Sequence, residues 1–304
     1  MHKIGLIGAG RAAAHLGQAL VALGEPLVAL GGRDVERTAA LARRWGVAPC
    51  TPVEVLARAD WVLLAVRDEA IAPVCAALPW APRHVAIHLS GASPLSVLDA
   101  ARAAGAQVAG FHPLQLLADP EPTAAAARSA LAGICIGIEG EGEVAGALAA
   151  LARRLGAQPL TLDGAQRAAY HAGANAAASG LLAPLALASH LCAEALGLSP
   201  DEALRALMPL AHGALKAASE RGLAGALSGP VARGDVPVLQ AHAQALAARS
   251  QPNDAALYAA LVEALLPLAA QTGRLDAAAL ARLRGWRRKP RLKAASRAAR
   301  PRSA

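Results

Sequence analysis

Three groups of polar residues stand where an apolar chain has little reason to place them. Ser90 follows the apolar run 85–89, His112 follows 107–111, and Tyr170-His171-Ala172-Gly173-Ala174-Asn175 opens a long uncharged stretch. A hydroxyl and an imidazole at neighbouring strand ends suit the binding of a substrate oxygen and the movement of its proton during hydride transfer. His112 equally suits a plainer role, an imidazole bonded to backbone ahead of Pro113. His171 and Asn175 are four apart, hence neighbours on one helix face. Buried without partners, such groups would cost about 1 to 3 kcal/mol each; either they satisfy one another or they face a cleft. The segment Gly229-Pro230-Val231-Ala232-Arg233-Gly234-Asp235 offers Arg233 to a substrate carboxylate, unless Arg233 pairs with Asp235. His84 and His88 span a strand start, which lacks the helical geometry that brings two zinc ligands together, so no metal is expected. Ser90 has no GxSxG elbow around it, which argues against a serine hydrolase.

The second chemistry-bearing stretch is the turn Gly8-Ala9-Gly10-Arg11-Ala12-Ala13 after the apolar run Ile4-Gly5-Leu6-Ile7. Gly10 lets backbone approach a pyrophosphate, and Ala13 takes the third small position, where a helix packs closely on a strand. Helix N–H groups and the helix dipole favour an anion there. Gly8, Ala9, Gly10, Arg11, Ala12 and Ala13 are therefore expected to hold a dinucleotide, with Val66 at the end of the fourth strand beside them. No acid stands on the second strand to meet a ribose 2′-hydroxyl, and the first charge after it is Arg33, which favours NADP over NAD. Asp34 is the rival, yet it also stands where the N-cap of the next helix belongs.

These residues need a particular frame. Leu16, Leu20 and Leu23 recur at helical spacing, Gly24 ends that helix, and residues 26–30 begin a second strand, completing a βαβ unit. Strand and helix signals then alternate to about residue 163, with Thr51-Pro52-Val53-Glu54 as a capping box and 61–66 as a strand buried on both faces. Beyond 163 strand signals stop, and helices are expected at 164–197, 200–220, 236–249, 253–271 and 276–284. The expected fold class is α/β: an N-terminal Rossmann-type, doubly wound, mostly parallel sheet (1–163), then an all-α substrate and dimerisation domain (164–284), then a disordered basic tail (285–304).

Composition narrows the partners. Of 304 residues 55% are hydrophobic, enough for two well-filled cores. The net charge of +8 is a property of the end: residues 285–304 hold eight basic residues and no acid, which leaves 22 basic against 22 acidic residues elsewhere. A short basic, proline-containing end reads as solvated tail, so neither nucleic acid nor membrane is an expected partner. Four widely spaced cysteines without a CxxC pair suit reduced thiols in a cytoplasm, and a first strand near residue 3 leaves no room for a leader. Residues 172–191 carry no Asp, Glu, Lys or Arg, the length of a membrane span, but their Asn, Ser, Pro and His fit a helix covered by a second subunit.

The Gly8-Ala9-Gly10 turn, Ala65-Val66-Arg67-Asp68, His88-Leu89-Ser90-Gly91-Ala92, Gly110-Phe111-His112-Pro113-Leu114, Tyr170-His171 and the 229–235 segment together resemble a Rossmann-like oxidoreductase family with a helical C-terminal domain of unknown function. The resemblance covers about residues 3–270. That family is similar in layout to β-hydroxyacid dehydrogenases, prephenate dehydrogenases and pyrroline-carboxylate reductases. The resemblance implies NADP- or NAD-dependent redox chemistry on a small polar substrate in a cleft between domains, and a homodimer formed by the helical half. Ser90 and His112 resemble the serine and histidine of prephenate dehydrogenases. His171 and Asn175 resemble, in spacing only, the lysine and asparagine of hydroxyacid dehydrogenases; that lysine is missing, which moves the acid or base role to histidine. Arg67 stands where relatives often have proline. The alternative function is a dinucleotide-binding sensor or assembly protein without turnover.

Overall fold

Short apolar runs separated by amphipathic helices can pair only as parallel neighbours, and that is how most of this sheet is built. The structure, a computed structural model, describes residues 2–117, 131–248 and 252–287. Its strands are β1 (Ile4–Ile7), β2 (Leu27–Gly31), β3 (Ala48–Cys50), β4 (Trp61–Leu64), β5 (Val85–His88), β6 (Gln107–Pro113), β7 (Cys135–Glu139) and β8 (Gln158–Thr161). They form one sheet in the order β3-β2-β1-β4-β5-β6-β7-β8, parallel except where β7 runs against β6. Every residue of β1, β4 and β5 is buried, as covering by helices on both faces requires. Leu6, Leu63, Ile87 and Phe111 pack on one face with Leu16, Leu20 and Trp45, while Val62, Leu64 and Ala86 pack on the other with Ile71 and Leu98. The strand order reverses between β1 and β4, where crevices of such sheets open.

Two compact units divide the chain, Met1–Ala178 and Ser179–Ala304. The sheet ends at Thr161, yet the first unit extends beyond residue 163 to take in the helix Arg167–Ala177. The continuous helix expected over 164–197 is broken at Ala178 (φ −106°, ψ −91°), and a new helix runs Leu182–Leu196. Gly180 follows the break, and Pro184 stands in the first turn of the new helix, where its missing N–H costs nothing. This break gives Tyr170, His171 and Asn175 to the first unit.

The second unit is helical: Leu182–Leu196, Pro200–Ala226, Gly229–Arg233, Val236–Ala247, Pro252–Gln271 and Ala277–Arg284. Ser199 and Glu202 form the capping box of the longest helix, and Gly222 kinks it. The segment 229–235, expected as loop, contains a short helix that ends on Gly234. Val231, Leu239, Val262, Leu283 and Trp286 form the core. Trp286 is 1% exposed, its indole N–H donates to Glu263 Oε1 (3.2 Å), and its carbonyl accepts from Gln240 Nε2 (3.0 Å). Packed structure thus extends past residue 284, because an indole this large gains more from burial than from solvent. The rest of the basic tail, 288–304, lies outside the described residues.

Candidate active site

The first candidate feature is a groove of about 710 Å³ lined by the Gly8–Ala12 turn, Arg33, Asp34, Arg37, Ala65, Val66 and Arg67, with Leu117 at its edge. Gly8 has φ +122°, and a Cβ there would run into the Ala65 carbonyl, so the protein's own backbone requires this glycine. Gly10 is different. It has an ordinary φ of −77°, and a Cβ built on it meets nothing within 4 Å. Its missing side chain leaves an empty place at the N-terminus of helix Arg11–Ala22, which has no side-chain cap and no acid in its first turn. That is a cradle for an anion. Ala13 is fully buried beneath it, the close-packing role expected of the third small residue. Asp34 accepts a hydrogen bond from Arg37 N (3.0 Å) and so is the helix N-cap, which leaves Arg33 and Arg37, among the described residues, as the uncommitted charges beyond β2 that line the groove, Glu36 being outside its lining.

The second feature is a polar layer on one face of β5, β6 and β7. Register places His88 beside Gly110, and across the antiparallel pair Gly110 faces Glu139 and His112 faces Gly137. Residues directly opposite or two apart share a face, so His88, Ser90, Gly110, His112, Gly137 and Glu139 line one surface. Helix Arg167–Ala177 covers it with Arg167, Tyr170 and His171, the i, i+3, i+4 stripe that one helix face presents. Arg167, 3% exposed, forks onto Glu139 and donates through Nη1 to the carbonyls of Ser90 (3.0 Å) and Gly91 (3.4 Å). His112 Nδ1 lies 2.8 Å from the Tyr170 hydroxyl, and the His171 ring stands edge-on, 6.4 Å away by ring centres.

Three glycines make room for these side chains. A Cβ on Gly91 would lie 2.6 Å from the His112 ring, on Gly110 2.9 Å from Arg167 Nη2, and on Gly137 2.7 Å from the Tyr170 oxygen. Burial, then the charges of His171 and Arg167, hold the His112 imidazole down to about 4, against a weaker pull upward from Asp68. Burial first, then Arg167 and His112, does the same to His88, also about 4. Burial pushes the Tyr170 phenol up. Near neutral pH the layer therefore holds two neutral imidazoles and a protonated phenol, in contact as a hydrogen-bonded pair at His112 and Tyr170.

The structure brings His112 and His171 together and adds Tyr170, whose hydroxyl meets the His112 ring. Ser90 is close but committed: its Oγ accepts from Ala92 N (3.1 Å) and Ser93 N (2.9 Å), using both lone pairs to turn the chain after β5. These bonds shape the turn and leave the Ser90 O–H as a donor. Asn175 is exposed one turn beyond His171, and no hydrogen bond joins their side chains among the described residues. Arg233 is exposed in the second unit, and Asp235, its possible partner, caps Val238 N (3.3 Å) instead. Sequence reasoning missed Glu139, Arg167 and Arg37. Gly110 and Gly137, each inside a strand, were the available signal, since such a glycine marks a close approach from another element.

Comparison with known proteins divides the chain elsewhere, inside the first unit. Residues 3–90 match the family described as "NADP oxidoreductase coenzyme F420-dependent", and residues 134–265 match a domain of unknown function, DUF2520. The first segment is similar to the Rossmann domain of NADP oxidoreductases, and the second, which begins at β7, to that domain of unknown function. NADP is thus the cofactor named for the family of the Rossmann domain. Solved structures resemble both units. A Thermotoga maritima protein, TM1727, is 21% identical with a TM-score of 0.71, over 89% of this chain and 100% of that one. A pyrroline-5-carboxylate reductase from Coxiella burnetii is 17% identical, TM-score 0.56, over 95% and 99%. A reductive aminase from Aspergillus terreus, solved with NADPH and ethyl levulinate, is 17% identical, TM-score 0.56, over 95% and 100%. At these identities the likeness is one of fold. Among curated proteins nothing matches the sequence.

Proposed function

We propose that the protein is an NADP-dependent oxidoreductase acting on a small polar substrate. The groove carries this reading: an uncapped helix N-terminus with an empty place at Gly10, and Arg33 and Arg37 one strand away where a 2′-phosphate would need guanidinium groups. Gly8, Gly10 and the amides of Arg11 and Ala12 would hold the pyrophosphate, with Ala9 and Val66 walling the groove. When bound, the nicotinamide supplies or takes the hydride. His112 exchanges one proton with the substrate oxygen or nitrogen, and Tyr170 restores the ring's proton through Nδ1. With its proton on Nε2 the neutral ring acts as acid for a reduction: Nε2 gives its proton to the substrate as Nδ1 takes the phenol's, and water reprotonates Tyr170; the same transfers reversed serve an oxidation.

Calorimetry with NADPH and NADH tests the cofactor assignment. Arg33→Ala and Arg37→Ala should each weaken NADPH binding about tenfold while leaving NADH binding nearly unchanged; equal losses for both would overturn it. His112→Phe should keep NADPH affinity and lower turnover at least about a hundredfold in a carbonyl, imine and coenzyme F420 panel. A wild type that binds NADPH and oxidises it with no member of that panel would instead favour a sensor or assembly role.

The helical unit is proposed to pair two copies. Ser179–Leu196 and Asn253–Gln271 are long and apolar enough to cross a membrane by length and composition, and only 17% of each is buried. Leu182, Leu196, Leu210 and Leu223 are exposed on this unit, a surface that a second copy would cover. Light scattering should give the mass of a dimer, reduced to one chain by Leu182→Glu with Leu210→Glu. Four free thiols fit a reducing cytoplasm.

A further inference from the structure

Arg167 controls both contacts of the His112 ring. Its Nη1 grips the carbonyls of Ser90 and Gly91, and Gly91 is the floor against which the imidazole lies. One turn along the same helix, Tyr170 reaches Nδ1 of that imidazole. The guanidinium is in turn fixed by Glu139 on β7, opposite Gly110, over which it passes. Four hydrogen bonds from one 3%-exposed side chain thus tie the turn after β5 and the end of β7 to the covering helix, across Gly110 of β6. A charge buried this deeply is tolerated only when its donors are used, and here they are used on the elements that frame His112.

We propose that Arg167, locked by Glu139, is a positioning residue that fixes the His112 imidazole in one tautomer and sets a buried cation against a second proton on it. The inference builds on the reading of His112 as the proton carrier, but its content is a property of the resting protein. With the phenol donating to Nδ1, the ring's own proton is on Nε2. The groups facing His112 are His88 from β5, Glu139 from β7, Arg167, Tyr170 and His171 from the covering helix, and Asp68 from helix Asp68–Ala76. Arg167 and the neighbouring imidazoles oppose a second proton on the ring, and Asp68 favours it. Removing the cation together with Glu139 removes a buried pair as a unit, so no lone buried charge remains.

Histidine-selective ¹⁵N NMR on the cofactor-free protein, with His112 assigned by His112→Gln, tests this. In Arg167→Met with Glu139→Leu, His112 should protonate about one pH unit higher than in the wild type and show mixed tautomers. Arg167→Lys keeps the charge but loses the fork. Its midpoint should stay low while the single tautomer is lost and the Gly91 amide shifts. Should the double variant not fold, Arg167→Lys decides on the tautomer alone. Folded variants in which His112 keeps the wild-type midpoint and tautomer would overturn the proposal. Because no NADPH enters the measurement, a shifted His112 in a protein that binds no NADPH would uphold the positioning role and reject the redox reading.

Discussion

Glycine is used in opposite ways at the two corners of the sheet. Beyond β1, Gly10 leaves a space that the protein does not fill, whereas beyond β5 and within β6 and β7, Gly91, Gly110 and Gly137 leave spaces already taken by His112, Arg167 and Tyr170. The first corner is shaped for a guest. The second is shaped for the protein's own side chains and presents them ready for use. Binding there rests on backbone amides and chemistry here on a packed polar layer, so the same substitution, glycine to alanine, should have different consequences at each.

The largest effect is expected at Gly8, whose φ and contact with the Ala65 carbonyl both forbid a side chain. Gly8→Ala should cost roughly 3 kcal/mol or more in urea unfolding and take nucleotide binding with it. Next comes acid. His88 and His112 both hold protons less readily when folded, near 4, than the ordinary 6.5. The unfolded chain then binds more protons between those values, so stability falls as pH drops from about 6.5 to about 4, by on the order of 3 kcal/mol for each histidine, and these two groups add no further loss below that. Melting temperatures across that range read the slope, and His112→Phe should flatten it by about half. At Gly137, Ala should cost about 1 to 3 kcal/mol by pushing away the Tyr170 hydroxyl, and the His112–Tyr170 contact should vanish from NMR spectra. Gly10→Ala should be smallest in stability, under about 1 kcal/mol, yet should weaken NADPH binding at least about tenfold. Equal stability losses at Gly10 and Gly137 would erase the distinction between the two corners.

Much of the first corner was legible in the chain because it depends on local signals: an apolar run, two glycines at fixed spacing, and helical periodicity after them. Arg33 could be read for the same reason, and Asp34 is the cap that its position suggests. The second corner depends on register. Nothing local says that Glu139 lies opposite Gly110, since β7 reverses direction and a one-residue slip would send its side chains to the other face. Arg167 carries no local signal for that reason, and the two amides that meet Ser90 Oγ come from a turn that only the folded chain shows. Helix Arg167–Ala177 was misassigned to the helical half because alanine-rich sequence hides the break at Ala178. Type and spacing single out Asn175 and Arg233; both are exposed, Asn175 in the first unit and Arg233 in the second.

Trp286 gives the helical unit a built-in optical probe. Trp45, Trp61 and Trp80 belong to the first unit, so changing those three to phenylalanine leaves one indole, 1% exposed, as the sole long-wavelength emitter. Its emission would then report melting of the C-terminal half separately from the nucleotide domain. Shortened versions intended to lose the basic end should stop after Arg287, because ending at Arg284 would discard both the probe and the plug of that core.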